Sequence, residues 1–102
     1  MNRMIRHIVM WNIKDEFSET QKAEACKKME EGFLPLKASV PNVIDLQVKT
    51  NVMESSNRDF MLIVDFPNEE ALKAYQVHPE HVKAAGYVKS VTVDRVCFDY
   101  EI

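Results

Sequence analysis

Residues 4–13, MIRHIVMWNI, place Ile5, His7, Val9, Trp11 and Ile13 on one side of an extended chain and Met4, Ile8 and Met10 on the other. Successive side chains of a strand point to opposite faces, so this strand is apolar on both. The segment KDEFSET then interrupts the run, and Ser18 followed three residues later by Gln21 forms a capping box that predicts a helix start. Beyond it Ala23, Cys26, Met29, Phe33 and Leu36 recur at three- and four-residue spacing, with Lys22, Glu24, Lys27, Lys28 and Glu31 mostly on the other side. Pro35 kinks or ends this helix, and SVPN closes the segment.

VIDLQVKT (43–50) alternates cleanly, with Ile44, Leu46 and Val48 inward and Asp45, Gln47 and Lys49 outward, which is a strand with one wet face. NVMESSNR is a turn or hairpin loop, and DFMLIVDF (59–66) is a nearly continuous apolar strand in which Phe60, Leu62, Val64 and Phe66 oppose Met61 and Ile63. Pro67-Asn68 ends it. NEEALKAYQV then reads as a short helix with Ala71, Leu72 and Tyr75 on one side, residues 79–86 as another, and residues 90–102 as a final strand.

The order β-α-β-β-α-β is the signature of an α+β, ferredoxin-like unit with an antiparallel sheet and its main helices on one face. Helices on one face cannot cover both apolar faces of this sheet. The remaining face would be an exposed patch too large for a monomer, so a second copy of the chain is expected to cover it, giving a homodimer whose two sheets close an α/β barrel. His7 is assigned to that partner-covered face, together with Trp11.

Length and charge narrow the function. A chain of 102 residues fits a single domain spanning 1–102. With 13 basic and 16 acidic residues it has no clustered basic face for a nucleic-acid backbone, and Lys27-Lys28 is the only adjacent basic pair. The N-terminal stretch lacks a signal peptide's apolar core and cleavage site, and no run is long enough to span a membrane. Cys26 and Cys97 lie far apart without framework spacing and read as free, buried thiols of a cytoplasmic protein. Two glycines, Gly32 and Gly86, make no phosphate-cradling loop, so no nucleotide cofactor is expected. The methionines, Met1 among them, are dispersed and read as packing residues.

The stretch YQVHPEH (75–81) carries the candidate chemistry. His78 precedes a proline, which biases it out of helical geometry, and Pro79 suits the first position of a helix. On the residues alone the plainer account is a rigid corner, with His78 near the N-cap, His81 in the first turn and Gly86 as a C-cap. A metal would need more ligands than this spacing converges, so none is expected. Proton transfer is the sharper reading. A histidine near a helix N-terminus is held neutral by the dipole and can act as a base, and Tyr75 can offer its hydroxyl to a developing oxyanion.

MIRHIVMWNIKD, a middle strand ending VDF, AYQVHPEHV and a closing VDRVCFDYEI, taken together and in this order, resemble the stress-responsive dimeric A/B barrel domain family over nearly the whole chain. The resemblance implies a ferredoxin-like unit that pairs with a second copy. One plant member is a polyketide cyclase that works without a cofactor, and its motif implies His81 as the base of an aldol condensation and Tyr75 as the residue orienting a carbonyl. His7, Trp11, Phe60 and His78 follow as substrate-binding positions, Phe60 standing where that cyclase carries a further histidine. Three activities fit: a cofactor-independent cyclase, isomerase or decarboxylase acting on a small aromatic or polyketide-like compound; a stress-associated, small-molecule-binding dimer without chemistry; and a cofactor-free monooxygenase.

Overall fold

The computed structural model describes residues 4–102; Met1 lies outside them. Its elements run β1 (Ile5–Ile13), α1 (Glu19–Phe33), α2 (Leu36–Ser39), β2 (Asp45–Lys49), β3 (Phe60–Phe66), α3 (Glu69–Val77), α4 (Pro79–Val91) and β4 (Thr92–Glu101). The strands form one sheet in the order β2-β3-β1-β4, and every neighbouring pair is antiparallel.

Local chemistry sets most boundaries. The capping box at α1 is complete: Ser18 Oγ accepts from the Gln21 N–H, and the Gln21 side chain accepts from the Ser18 N–H. Asn68 caps α3 by accepting from the Ala71 N–H at 2.9 Å. Pro35 ends α1 and leads into α2, a single turn. The buried stripe of α1 is Ala25, Met29 and Phe33, so the helix is rotated slightly from the spacing read above: Cys26 is half-buried and Ala23 exposed. Gly32 of α1 faces α4, where a Cβ at that position would sit 3.6 Å from Ala84 Cβ, an ordinary packing contact.

Two boundaries differ from the sequence reading. Gly86 is no C-cap. It lies inside α4, which continues to Val91, and its φ is negative. Residues 90 and 91 therefore belong to the helix, and β4 begins at Thr92.

The sheet has one helix-covered face and one open face. Beneath the helices lie Ile5, Val9, Trp11 and Ile13 with Leu62, Val64 and Phe66, all buried. The open face is apolar along β4, where Phe98 is 65% and Val96 40% exposed, with Ile8 and Met10 of β1 beside them in register. Arg6 edges this face, donating from Nε and Nη2 to the two carboxylate oxygens of Asp65 at 2.8 and 2.9 Å.

His7 corrects the sequence reading. It is buried on the helix side, not on the open face, and so is Trp11. Any pocket built on them lies between the sheet and its own helices, not inside an inter-subunit barrel.

Candidate functional site

The His78-Pro79 corner splits what would be one long helix into α3 and α4 and turns the start of α4 over the sheet. His78 is extended (φ −64°, ψ 135°), and its Nδ1 accepts from the Glu80 N–H at 3.2 Å. Its ring is thus occupied in building the corner and does not line the cavity described next.

A cavity of about 560 Å³ opens between α4 and the sheet. Its apolar walls are Val9, Trp11, Phe33, Leu62 and Val88, and its polar groups are His7, Gln76, His81, Lys89 and Arg95. That volume falls in the range of small-molecule sites, about 300–1,000 Å³. Trp11 stacks on Phe33 with ring centroids 5.7 Å apart. Phe60 packs behind Trp11, 5.8 Å away edge to face, and supports the wall without lining it.

His81 projects from the first turn of α4, where Nδ1–H donates to the Gln76 carbonyl at 3.1 Å. That bond leaves the Nε2 lone pair as the free basic position. Burial lowers the His81 pKa below the ordinary 6.5, against the raising effect of the Gln76 carbonyl; the charges of His7, Arg95 and His78 lower it further. The imidazole is neutral at pH 7.

Tyr75 lies against the same ring, its centroid 4.4 Å from that of His81, 5.1 Å from Phe66 and 6.4 Å from His7. It is fully buried, and its hydroxyl has no hydrogen-bond partner. An unsatisfied buried hydroxyl costs about 1–3 kcal/mol. Burial also pushes the phenol pKa far up, so Tyr75 remains a donor at any ordinary pH.

The structure adds residues that the sequence reading missed. Opposite His7 in the β1–β4 register stands Asp99, whose Oδ1 is hydrogen-bonded to His7 Nδ1. The Cys97 thiol donates to the same oxygen at 3.5 Å. A carboxylate on Nδ1 fixes the imidazole's orientation and tautomer and leaves Nε2 as acceptor. The ligand atoms of His7, Cys97 and Asp99 lie within 4.8 Å of one another. Desolvation, then the Asp99 charge, raise the Cys97 pKa, so the group is a neutral thiol near pH 7 and three mutually bonded side chains account for one another.

β4 carries a bulge opposite Trp11. Asn12 pairs with Val93 and Met10 with Val96, so Asp94 and Arg95 together face one residue. Asp94 takes a left-handed conformation (φ 56°), tolerated best by Gly, Asn and Asp, and its carbonyl accepts from Arg58 Nε at 3.2 Å. The bulge brings Arg95 to the cavity.

Gly86 also lines the cavity, and a Cβ there would meet nothing within 4 Å. Since glycine inside a helix is less stable than alanine by about 0.5–1 kcal/mol, Gly86→Ala is expected to stabilise the protein by that amount, read as a higher urea midpoint. A lowered midpoint would show that the space over Gly86 is needed for packing.

Comparison with known proteins agrees with this fold. Residues 5–102 match the family described as stress responsive A/B barrel domain. Olivetolic acid cyclase of Cannabis sativa is 25% identical over 99 residues, 94% of each chain. A protein from Bacteroides fragilis, described as dimeric, ferredoxin-like and of unknown function, superposes with a TM-score of 0.91 at 27% identity, covering 97% of this chain and 96% of that one. A hydroxynitrile lyase from Passiflora edulis shares the fold, with a TM-score of 0.82 at 14% identity over 100% of this chain and 95% of its own.

Proposed function

The chain belongs to the stress-responsive A/B barrel domain family, and from that premise we propose that it is a cofactor-independent acid–base catalyst of the cyclase or isomerase type, acting on a small aromatic or polyketide-like compound. One observation carries the reading: a neutral imidazole with a free Nε2 lines a cavity of substrate size, and a buried, unpartnered phenol packs against that imidazole from behind the lining. His81 Nε2 takes a proton from a carbon next to a carbonyl. The C–H electron pair moves to the carbonyl oxygen, and Tyr75 O–H donates a hydrogen bond to the resulting enolate. In a cyclisation the enolate carbon attacks a second carbonyl of the same molecule, a C–C bond forms, and the proton on His81 passes to the new alkoxide oxygen. In an isomerisation it returns to another carbon. The likeness to olivetolic acid cyclase favours the first course.

Ring-forming and α-proton chemistry share their first step, so the test reads that step directly. A panel of aryl and acyl ketones is incubated with the protein in D₂O and followed by NMR. Wild-type protein is expected to speed deuterium entry at the carbon beside the carbonyl for at least one member. No acceleration across the panel, together with ligand binding in the cavity, would leave a binding protein without chemistry.

The chain is further proposed to act as a homodimer, with the apolar open face of β4 covered by a second copy; two structural neighbours are described as dimeric. Phe98→Glu would place a charge at the centre of that contact and is expected to weaken dimerisation tenfold or more, measured by light scattering across a dilution series. A variant as dimeric as the wild type would show that the open face is not the interface. Among the described residues no helix is long and apolar enough to cross a membrane. Both cysteines are free, Cys26 half-buried and Cys97 exposed on the edge strand rather than buried as expected, and free thiols suit a reducing compartment such as the cytoplasm.

A further inference from the structure

We propose that the cavity takes a compound with an apolar or aromatic body and a terminal carboxylate, the carboxylate held at the rim by Arg95 with Lys89 beside it. The inference rests on the cavity being the substrate site, as argued above, and adds the class of substrate.

The chain holds more acidic than basic residues, 16 against 13. Yet among the described residues no aspartate or glutamate lines this cavity, while a lysine and an arginine do. Neither cation is within ion-pair distance of a described carboxylate; the recorded pairs are Arg6–Asp65, His7–Asp99 and Lys37–Asp45. Lys89 has a partial structural explanation, since it sits in the last turn of α4, where a cation complements the helix dipole. Arg95 has no carboxylate or helix end to answer, its neighbour being the neutral Cys97 thiol. It reaches the cavity because β4 spends an extra residue opposite Trp11, with Asp94 in a left-handed conformation. Bulges commonly re-aim a side chain next to a site.

The rest of the cavity limits what the anion is attached to. Trp11 and Phe33 offer a stacked aromatic wall, and Val9, Leu62 and Val88 continue it, so the body of the ligand is apolar. The arginine fork matches the two oxygens of a carboxylate. A nucleotide or a coenzyme's diphosphate is disfavoured because no glycine-rich loop stands nearby to cradle it. His81 lines the same cavity and is close enough to Arg95 to feel its charge. A carboxylate on Arg95 thus leaves the body in the same cavity as His81.

The test measures binding, so it is independent of turnover. Trp11 is the only tryptophan and lines the cavity, so its fluorescence reports occupancy. Titration compares para-pentylbenzoate, the corresponding neutral benzamide and para-pentylphenyl phosphate. The benzoate is expected to bind about tenfold or more tightly than the amide. Arg95→Gln should remove most of that difference without changing amide affinity, and Lys89→Gln should remove a smaller part. Equal binding of benzoate and amide, unaffected by Arg95→Gln, would overturn the carboxylate class and leave the cavity as a binding site. Tighter binding of the phosphate than of the benzoate would overturn it in favour of a phosphate ester. Failure of all three to perturb Trp11 would overturn this proposal and the cavity reading together.

Discussion

His81→Ala lowers turnover of the cavity's substrate by about 10²–10⁴-fold, the usual contribution of a positioned general base. The side chain is half-buried, and its one recorded hydrogen bond is to the Gln76 carbonyl, so the fold survives the change. The pH profile separates catalysis from damage. Since the His81 pKa lies below 6.5, kcat/KM of the wild type should rise with pH along a limb whose midpoint is below 6.5 and be level by neutrality. His81→Ala should lose that limb along with the rate. Stability follows the same linkage. Between the lowered folded pKa and 6.5 the unfolded chain binds the proton and the folded one does not, so stability falls as pH drops through that window and is unaffected above it. His81→Ala should flatten this part of the stability profile too. If the variant keeps full turnover, or if the limb persists unchanged, the base is another group, and His7, held by Asp99, is the one to test next.

Most of the framework could be read from the sequence because it is written in local patterns. The alternation in β1 and β3, the Ser18–Gln21 box and the His78-Pro79 corner each depend on neighbours a few residues away. The sides of the sheet were not legible. Both faces of β1 are apolar, so alternation separates Ile5, His7, Val9 and Trp11 from Ile8 and Met10 without saying which set the helices cover. That is decided by packing across the whole domain. Asp99 was missed for a related reason: its partner is 92 residues away, and the match depends on the register of β4 against β1.

One signal was available. In β4 the residues Arg95, Cys97 and Asp99 alternate with Val96, Phe98 and Tyr100. A strand with one wet face normally turns its polar side chains to solvent. Here the polar set shares the helix side of the sheet with His7 and the apolar set faces the other way, and both are exposed because β4 is an edge strand. The alternation fits both proposals at once, because the polar groups share the side of the cavity and the apolar groups share the side proposed for the partner. Gly86 misled for a simpler reason. Glycine is so common just past a helix end that a glycine within α4 looked like one.

Tyr75→Phe should move stability and activity in opposite directions. The hydroxyl is fully buried without a partner, so removing it while keeping the ring removes a desolvation penalty and leaves the packing against Phe66 and His81 in place. Stability in urea should therefore be unchanged or rise, by up to about 1–3 kcal/mol. Turnover should fall by about 10²–10³-fold, the effect of deleting one oxyanion donor. Burial keeps the phenol protonated across the working range, so the loss should be uniform with pH, unlike that of His81→Ala. A more stable and less active variant cannot be explained by a damaged fold, which makes the pair of readings stronger than either alone. A protein tolerates an unsatisfied buried donor where something else completes it, and a substrate carbonyl becoming an enolate is the acceptor this site lacks. If Tyr75→Phe gains stability and loses no activity, the hydroxyl is only a packing cost, and enolate stabilisation must come from another donor at the cavity.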